Sequence, residues 1–229
     1  MKKIAIIPAY NESGSLLGTI ADLQKNAPDF DYIIINDCST DSSEELCRSH
    51  HLNAVHLPVN LGIGGAVQTG YRYALEHGYD LAVQFDGDGQ HSAVYLEEMS
   101  DYLISNSCSM VIGSRFIKKE GFQSSGIRRL GIRYFSALIR ILTGKRITDP
   151  TSGMRLVDRS VIQIFAKDYP KDYPEPESVV TLLKKGMRVE ELPVIMKERT
   201  AGVSSIAPLK SVYYMVKVSI AVLFACIRH

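Results

Sequence analysis

The sequence predicts an α/β protein with a mostly parallel central sheet, and three observations carry that prediction. Short apolar or β-branched runs recur at residues 4–8, 32–36, 54–57, 81–85 and 110–112. Segments with helical apolar spacing lie between them. The runs are nearly continuous in apolar character instead of alternating, as strands covered on both faces must be. Such a sheet binds ligands in the crevice at the carboxyl ends of its strands, and the polar residues collect there. Tyr10, Asn11 and Glu12 follow the first run, Asp37 the second, residues 60–65 the third and residues 86–90 the fourth.

The elements follow in order. The opening Met-Lys-Lys-Ile-Ala-Ile-Ile-Pro is too short in its apolar stretch for a secretory signal and reads as the first strand. Helices are expected where capping side chains precede helical spacing: Ser13 or Ser15 before Leu16-Leu17, Ser39 or Asp41 before Glu44-Glu45-Leu46, and Ser92 before Tyr95-Leu96. Gly62-Ile63-Gly64-Gly65 imitates a dinucleotide fingerprint, but Val67 stands where the third glycine belongs and the run follows the third strand, not the first. No GxxxxGK[ST] occurs, so a P-loop is excluded too. The glycine run reads as a loop and helix start that needs close packing.

Composition bounds the answer. The chain has 229 residues, 45% hydrophobic and 22% charged, enough for a full core. Its four cysteines, Cys38, Cys47, Cys108 and Cys226, show neither zinc nor disulfide spacing, which suits a reducing cytoplasm. The net charge of +1 hides an asymmetry: residues 1–114 carry 5 Lys/Arg against 15 Asp/Glu, and residues 115–229 carry 21 against 10. The acidic half needs a cation before it holds a phosphate, whereas the basic half meets an anionic acceptor or an anionic membrane surface directly. Nucleic acid is not the expected partner, because no helix-turn-helix, zinc-finger or aromatic-interleaved basic signature appears.

The most specific chemistry lies in Phe85-Asp86-Gly87-Asp88-Gly89-Gln90-His91. Asp86 and Asp88 point the same way from an extended or turning backbone, and the glycines allow close approach of a ligand. Two carboxylates and the Gln90 amide make a hard, incomplete oxygen shell that suits Mg²⁺ or Mn²⁺, with phosphate oxygens completing it. The competing reading is an Asp-Gly hairpin turn.

These pieces, in order, resemble the family-two glycosyltransferases with the GT-A fold, and within them the dolichol-phosphate or polyprenyl-phosphate sugar synthases. The resemblance rests on Pro8-Ala9-Tyr10-Asn11-Glu12, Asn36-Asp37-Cys38-Ser39-Thr40-Asp41, Asn60-Leu61-Gly62, Asp86-Gly87-Asp88-Gly89-Gln90-His91, Gly113-Ser114-Arg115-Phe116, Arg128-Arg129, Asp149-Pro150-Thr151-Ser152-Gly153 and Arg199-Thr200-Ala201-Gly202-Val203-Ser204. It implies a Rossmann-like GT-A domain over residues 1–205, followed at 206–229 by an apolar C-terminal helix. It further implies that Pro8, Ala9, Tyr10, Glu12 and Gly62 line a nucleotide pocket and that Asp37 meets the base. Asp86, Asp88 and Gln90 would surround the metal and the diphosphate. Arg115 would serve catalysis and the acceptor, with Arg129 and Arg133 beside a lipid phosphate, and Arg199 and Ser204 would contact pyrophosphate. Where the family often has a Lys after that serine, this chain has Ser205 and Ile206. Asp37 as the cap of the second helix remains the alternative for that residue.

In the second half, Ile127, Leu130, Tyr134, Leu138 and Ile141 recur at helical spacing among Arg128, Arg129, Arg133 and Arg140, a basic amphipathic helix. It suits a bilayer interface and bidentate phosphate clamping, or else a core-facing helix with a solvated basic face. A lipid phosphate acceptor, with a second pKa of about 6, is already a nucleophilic dianion and needs no protein base. A sugar hydroxyl needs one, and Asp149 is the candidate base, with a structural Asp-Pro turn as its alternative. Glu175 and Glu177 form an acidic pair in a proline-stiffened segment before a helix, where the resemblance implies an acid near the acceptor and a solvated loop is the alternative. The apolar run 212–227 contains Lys217 and is shorter than the roughly 20 residues that cross a bilayer, so it is expected at the membrane surface, on the core or against a dimer or membrane-protein partner.

The sequence thus predicts an inverting, metal-dependent glycosyltransferase at the inner face of the plasma membrane. It moves sugar from a nucleoside-diphosphate donor to a polyprenyl phosphate, in cell-envelope polysaccharide synthesis. A glycan hydroxyl acceptor, or a silent nucleotide-sugar-binding subunit, are the alternatives.

Overall fold

The computed structural model describes residues 1–118, 120–121, 126–172, 174–197 and 208–228, the side chains of 127, 208–214 and 228 excepted. In chain order the elements are β1 (Lys3–Ala9), α1 (Leu16–Asn26), β2 (Phe30–Asn36), α2 (Ser43–Ser49), β3 (Ala54–His56), α3 (Gly62–Glu76), β4 (Leu81–Gln84), α4 (Leu96–Ser105), β5 (Met110–Ser114), α5 (Gly126–Thr143), β6 (Arg155–Asp158), α6 (Arg159–Lys167), α7 (Pro174–Lys184), β7 (Val189–Pro193) and α8 (Pro208–Arg228). The predicted α/β class and all five predicted strands are present. β6 and β7 are additions, since one is four residues with charged ends and the other carries Glu190 and Glu191.

The seven strands form one sheet in the order β3-β2-β1-β4-β6-β5-β7. β6 runs antiparallel to β4 and β5, and every other pairing is parallel. The chain winds outward from β1 to β2 and β3, then returns through α3 to place β4 on the other side of β1. That reversal leaves a crevice between the carboxyl ends of β1 and β4, the place where open α/β sheets bind ligands.

Strand residues alternate between two apolar layers. Ile4, Ile6, Ile33 and Ile35 pack with Val67 and Tyr71 of α3, Phe135 and Ile139 of α5, Phe165 of α6, Val179 of α7 and Val218 and Val222 of α8. Ala5, Ile7 and Ile34 pack with Leu16, Ile20 and Leu23 of α1 and Leu96 and Met99 of α4. A Cβ at Gly70 of α3 would run into Ile6 Cγ2, so glycine lets the helix lie directly on β1. α8 shares the first layer through Val218, Val222 and Ala225.

Three local expectations are corrected. Ser15 and Ser92 stand at helix starts, but neither side chain makes a capping bond. Ser15 Oγ instead donates to the Gly87 carbonyl at 2.8 Å, and the Ala93 N–H finds Asp22 Oδ2 at 2.7 Å. α2 starts at Ser43, whose N–H donates to Asp41 Oδ1 at 2.9 Å. In α5 the core contacts are made by Ile132, Phe135 and Ile139, while Leu130, Tyr134 and Ile141, three of the residues expected to mark its apolar face, are exposed. The helix is apolar on two sides, and one stripe alone could not say which side faces inward. Glu175 and Glu177 lie within the first turn of α7, not in a loop.

Candidate functional site

The rim at the carboxyl ends of β1, β2 and β4 is held by side chains that cross between loops. Asn11 sits at φ 57, a left-handed conformation that Asn tolerates better than most residues. There its Oδ1 accepts the N–H of Thr40 at 2.8 Å and of Asp41 at 3.3 Å. The Asn11 and Glu12 N–H groups in turn donate to Ser39 Oγ and Ser43 Oγ. Asp37, 3% exposed, accepts the Leu61 N–H on Oδ1 at 2.7 Å, while its carbonyl accepts Asn60 Nδ2 at 3.0 Å. It therefore joins the second and third loops and does not cap α2. Pro8 and Ala9 end β1, Tyr10 is exposed beyond them, and Gly62 opens α3 at φ 74.

The acidic corner follows β4 without a hairpin: the chain turns through Asp86–Gln90 into a short 3₁₀ turn at Ala93–Tyr95 and then α4. α1 fixes the turn from below, since Ser15 Oγ and Thr19 Oγ1 both donate to the Gly87 carbonyl. A Cβ at Gly87 would press on the Pro8 carbonyl at 3.2 Å, and Gly89 has φ +75. Asp88 Oδ1 accepts the Gln90 N–H at 3.0 Å. Gln90 is anchored to the segment after β7, its Nε2 donating to the Lys197 carbonyl and its own carbonyl accepting the Lys197 N–H. Asp86 Oδ1 accepts Gln84 Nε2 at 3.2 Å.

Antiparallel β6 supplies the opposite wall. Its register pairs Gln84 with Arg155, so Gly153 falls opposite Asp86 two residues further on. A Cβ at Gly153 would stand 2.5 Å from Asp86 Oδ2, so any larger residue would force the carboxylate to shift. Among the described residues no group of three or more His, Cys, Asp and Glu side chains forms a self-sufficient metal site. Two carboxylates and an amide on one turn fit a hard divalent cation only when further oxygens come from a bound ligand.

The basic half adds the remaining wall. Asp149, fully buried, takes Arg115 Nε on Oδ2 at 2.6 Å and Arg115 Nη2 on Oδ1 at 2.8 Å, with the Arg115 backbone N–H also on Oδ2. Both oxygens are engaged, the geometry of a positioning partner and not of a proton acceptor. Sequence reasoning missed two residues behind this pair. Glu191 of β7 accepts the N–H groups of Thr148 and Asp149 at 2.7 and 2.8 Å, and burial raises its carboxyl above the ordinary value. Arg155, 1% exposed, binds the carbonyls of Pro150, Ser152 and Glu175 and the Ser178 hydroxyl. It ties the 150–152 loop to the start of α7. Nothing local in Gly153-Met154-Arg155-Leu156 announces a fully buried guanidinium.

Next to Arg115, a groove of about 360 Å³ is lined by Phe116, Arg129, Ile132, Arg133, Ser136, Arg146 and Thr148. Arg129 and Arg133 are thus brought together as expected, and Arg146 joins them unforeseen. It continues past Arg140 and exposed Ile141 along the outer face of α5. Arg199 and Ser204 lie outside the described residues.

With this geometry in place, residues 4–165 match the family described as Glycosyl transferase family 2. The chain belongs to that family. This glycosyltransferase is 28% identical over 216 residues to an undecaprenyl-phosphate mannosyltransferase of Micrococcus luteus, covering 90% of this chain and 88% of the relative. It is 29% identical over 209 residues to a UDP-N-acetylglucosamine–dolichyl-phosphate N-acetylglucosaminyltransferase of Methanococcus voltae, covering 82% and 83%. Its fold is similar to that of glucosyl-3-phosphoglycerate synthase from Mycobacterium tuberculosis solved with Mn²⁺, uridine diphosphate and phosphoglyceric acid, with TM-score 0.73 at 18% identity over 98% of this chain and 78% of that one. No helix among the described residues is long and apolar enough to cross a membrane.

Proposed function

We propose that this glycosyltransferase moves a sugar from a nucleoside-diphosphate donor to a polyprenyl phosphate, by direct displacement with inversion and with the help of a divalent cation. The observation that carries the reading is the approach of opposite charges: Arg115 interacts electrostatically with Asp86 of the acidic corner, and it lies against Phe116, which lines the groove of Arg129, Arg133 and Arg146. The names of the two relatives above, both transferases to polyprenyl or dolichyl phosphates, agree with it.

In this reading Pro8, Ala9, Tyr10, Glu12 and Gly62 line the nucleoside pocket, and Asp37 accepts a base N–H on the oxygen that Leu61 does not use. Asp86, Asp88 and the Gln90 amide hold Mg²⁺ or Mn²⁺, whose positive charge stabilises the departing diphosphate. Arg199 and Ser204 are assigned to the same diphosphate. Arg115, Arg129 and Arg133 orient the acceptor phosphate for in-line attack on the anomeric carbon. Because that phosphate is already a dianion, no residue need remove a proton, and Asp149 acts by holding Arg115. A guanidinium gripped on Nε and Nη2 still has its remaining N–H groups to offer.

The outer faces of α5 and α8 supply the approach to the lipid. Leu130, Tyr134 and Ile141 are exposed beside the arginines, and Val216, Ile220, Leu223 and Ile227 are exposed along α8. Tyr134 Oη joins the two helices through Ser219 Oγ at 3.0 Å. We assign this face, including the 206–229 segment, to an anionic membrane surface at the inner leaflet.

The test is an assay with labelled donor and extracted polyprenyl phosphate in the presence of Mn²⁺. Label recovered in organic solvent and released by mild acid is the expected result. Label recovered only in polymer refutes the phosphate acceptor, and a product with retained anomeric configuration refutes direct displacement. Thermal shift against uridine and guanosine diphosphates with Mn²⁺ identifies the base, since a ligand of the native state raises the melting temperature.

A further inference from the structure

The turn that presents Asp86 and Asp88 ends in a fully buried histidine for which the chemistry above has no use. The His91 side chain is completely enclosed and packs against the Phe85 ring at 5.6 Å between centroids. Its Nδ1 accepts the backbone N–H of Asp86 at 3.2 Å. A nitrogen that accepts carries no proton, so the network assigns the ring proton to Nε2. That Nε2 is a buried polar atom without a hydrogen-bond partner. It stands 3.7 Å from Asp86 Oδ2, too long for a hydrogen bond.

A buried donor without an acceptor is uncommon in a folded protein and marks a strained or functional position. Here the acceptor it lacks is next to it. Asp86 is held on Oδ1 by Gln84 Nε2, and Gly153 closes the side beside Oδ2. The gap between Oδ2 and His91 is therefore the slack part of an otherwise tight cradle, and a small turn of the carboxylate closes it.

We propose that His91 is the positioning residue for Asp86: its Nε2–H is a donor in waiting that engages Oδ2 when a divalent cation loads the carboxylate, fixing which oxygen faces the ion. The proposal rests on the reading of Asp86 as a metal-bearing group. It needs no change in the charge of the ring, only the N–H that the Asp86 backbone already orients. Carboxylates that carry metals are commonly oriented by such outer hydrogen bonds, and losing one weakens the metal tenfold to a hundredfold.

Two measurements test it. Mn²⁺ is titrated by electron paramagnetic resonance with saturating uridine or guanosine diphosphate, whichever raises the wild-type melting temperature, in wild type, Asp86→Ala, His91→Leu and His91→Gln. The expected result is Mn²⁺ affinity weakened about tenfold to a hundredfold in His91→Leu, with His91→Gln, which retains a donor N–H, closer to wild type. Equal loss in both His91 variants assigns the ring to packing and overturns the proposal, as does unchanged affinity in His91→Leu while Asp86→Ala abolishes binding. No Mn²⁺ binding by the wild type overturns the metal reading itself, together with the proposal. The second measurement needs no variant that might fail to fold: in wild-type protein labelled with ¹⁵N, the His91 Nε2–H resonance is followed as Mg²⁺ and the same nucleotide are added. A downfield shift reports the new hydrogen bond, and a resonance that does not move overturns the proposal.

Discussion

The pairing of Arg115 with Asp149 allows a quantitative test of whether Asp149 positions or catalyses. Asp149 is completely buried and the Arg115 side chain is 12% exposed, so Asp149 has no water as an alternative partner and Arg115 has little. Breaking such a pair by removing one member leaves an uncompensated buried charge and costs about 3–5 kcal/mol. For a chain of this length a loss of 1 kcal/mol lowers the melting temperature by about 2–4 °C, so Asp149→Leu and Arg115→Met should each melt about 6–20 °C below wild type. The double variant replaces the pair with apolar groups of similar bulk, a change that is often nearly neutral. It should therefore be more stable than either single variant, though inactive. Urea denaturation of all four proteins measures the coupling. Losses that add within about 0.5 kcal/mol would show that the two residues act independently and would refute the argument. A second refutation would be an Asp149→Asn variant with wild-type stability and a defect confined to kcat, the signature of a lost base.

Three further outcomes follow from the same geometry. Gly153→Ala puts a methyl group 2.5 Å from Asp86 Oδ2, so Mn²⁺ affinity should fall by at least tenfold with little change in secondary structure; wild-type affinity by calorimetry would contradict the cradle. Leu130→Glu with Ile141→Glu changes only exposed positions, so stability should stay within about 0.5 kcal/mol while sedimentation with anionic vesicles drops; undiminished sedimentation would remove α5 from the membrane face. Burial raises the Glu175 carboxyl above its ordinary 4.5, so between those two values the native protein holds a proton that the unfolded chain has released. Stability from this group is present below the ordinary pKa and declines as pH rises through the raised one, and Glu175→Gln should lack that decline. Parallel stability curves for wild type and Glu175→Gln between pH 4 and 7 would show that Glu175 is not held in that state.

How much of this was legible in the sequence depends on how local the cause is. β1, β2 and β4 announce themselves because a parallel strand buried on both faces must be apolar throughout, and the rim residues follow because ligands meet such sheets at the strand ends. Asp86, Asp88 and Asp37 were placed at that rim on this logic, and they lie there, after β4 and β2. β6 and β7 were not, because their stability comes from sequence-distant neighbours: Arg155 is tolerated in the core only since Pro150, Ser152, Glu175 and Ser178 supply its acceptors. Glu191 reads as a surface acid until the Thr148 and Asp149 N–H groups are seen to point at it. The capping serines misled for a related reason, since Ser15 serves Gly87, 72 residues away. In α5 the pattern was real but ambiguous, because the helix carries two apolar stripes, one packed on the core through Ile132, Phe135 and Ile139 and one exposed through Leu130, Tyr134 and Ile141.

A strand that runs against its neighbours brings its first residues, not its last, to the working edge of the sheet. Because β6 does this, the segment leading into it, from Thr148 to Gly153, runs between Arg115 and Asp86 and touches both: Asp149 holds the arginine, and Gly153 faces the carboxylate. The same connection makes the two walls structurally interdependent, because Asp149, the Pro150 turn and Gly153 form one continuous stretch between the Arg115 guanidinium and the Asp86 carboxylate.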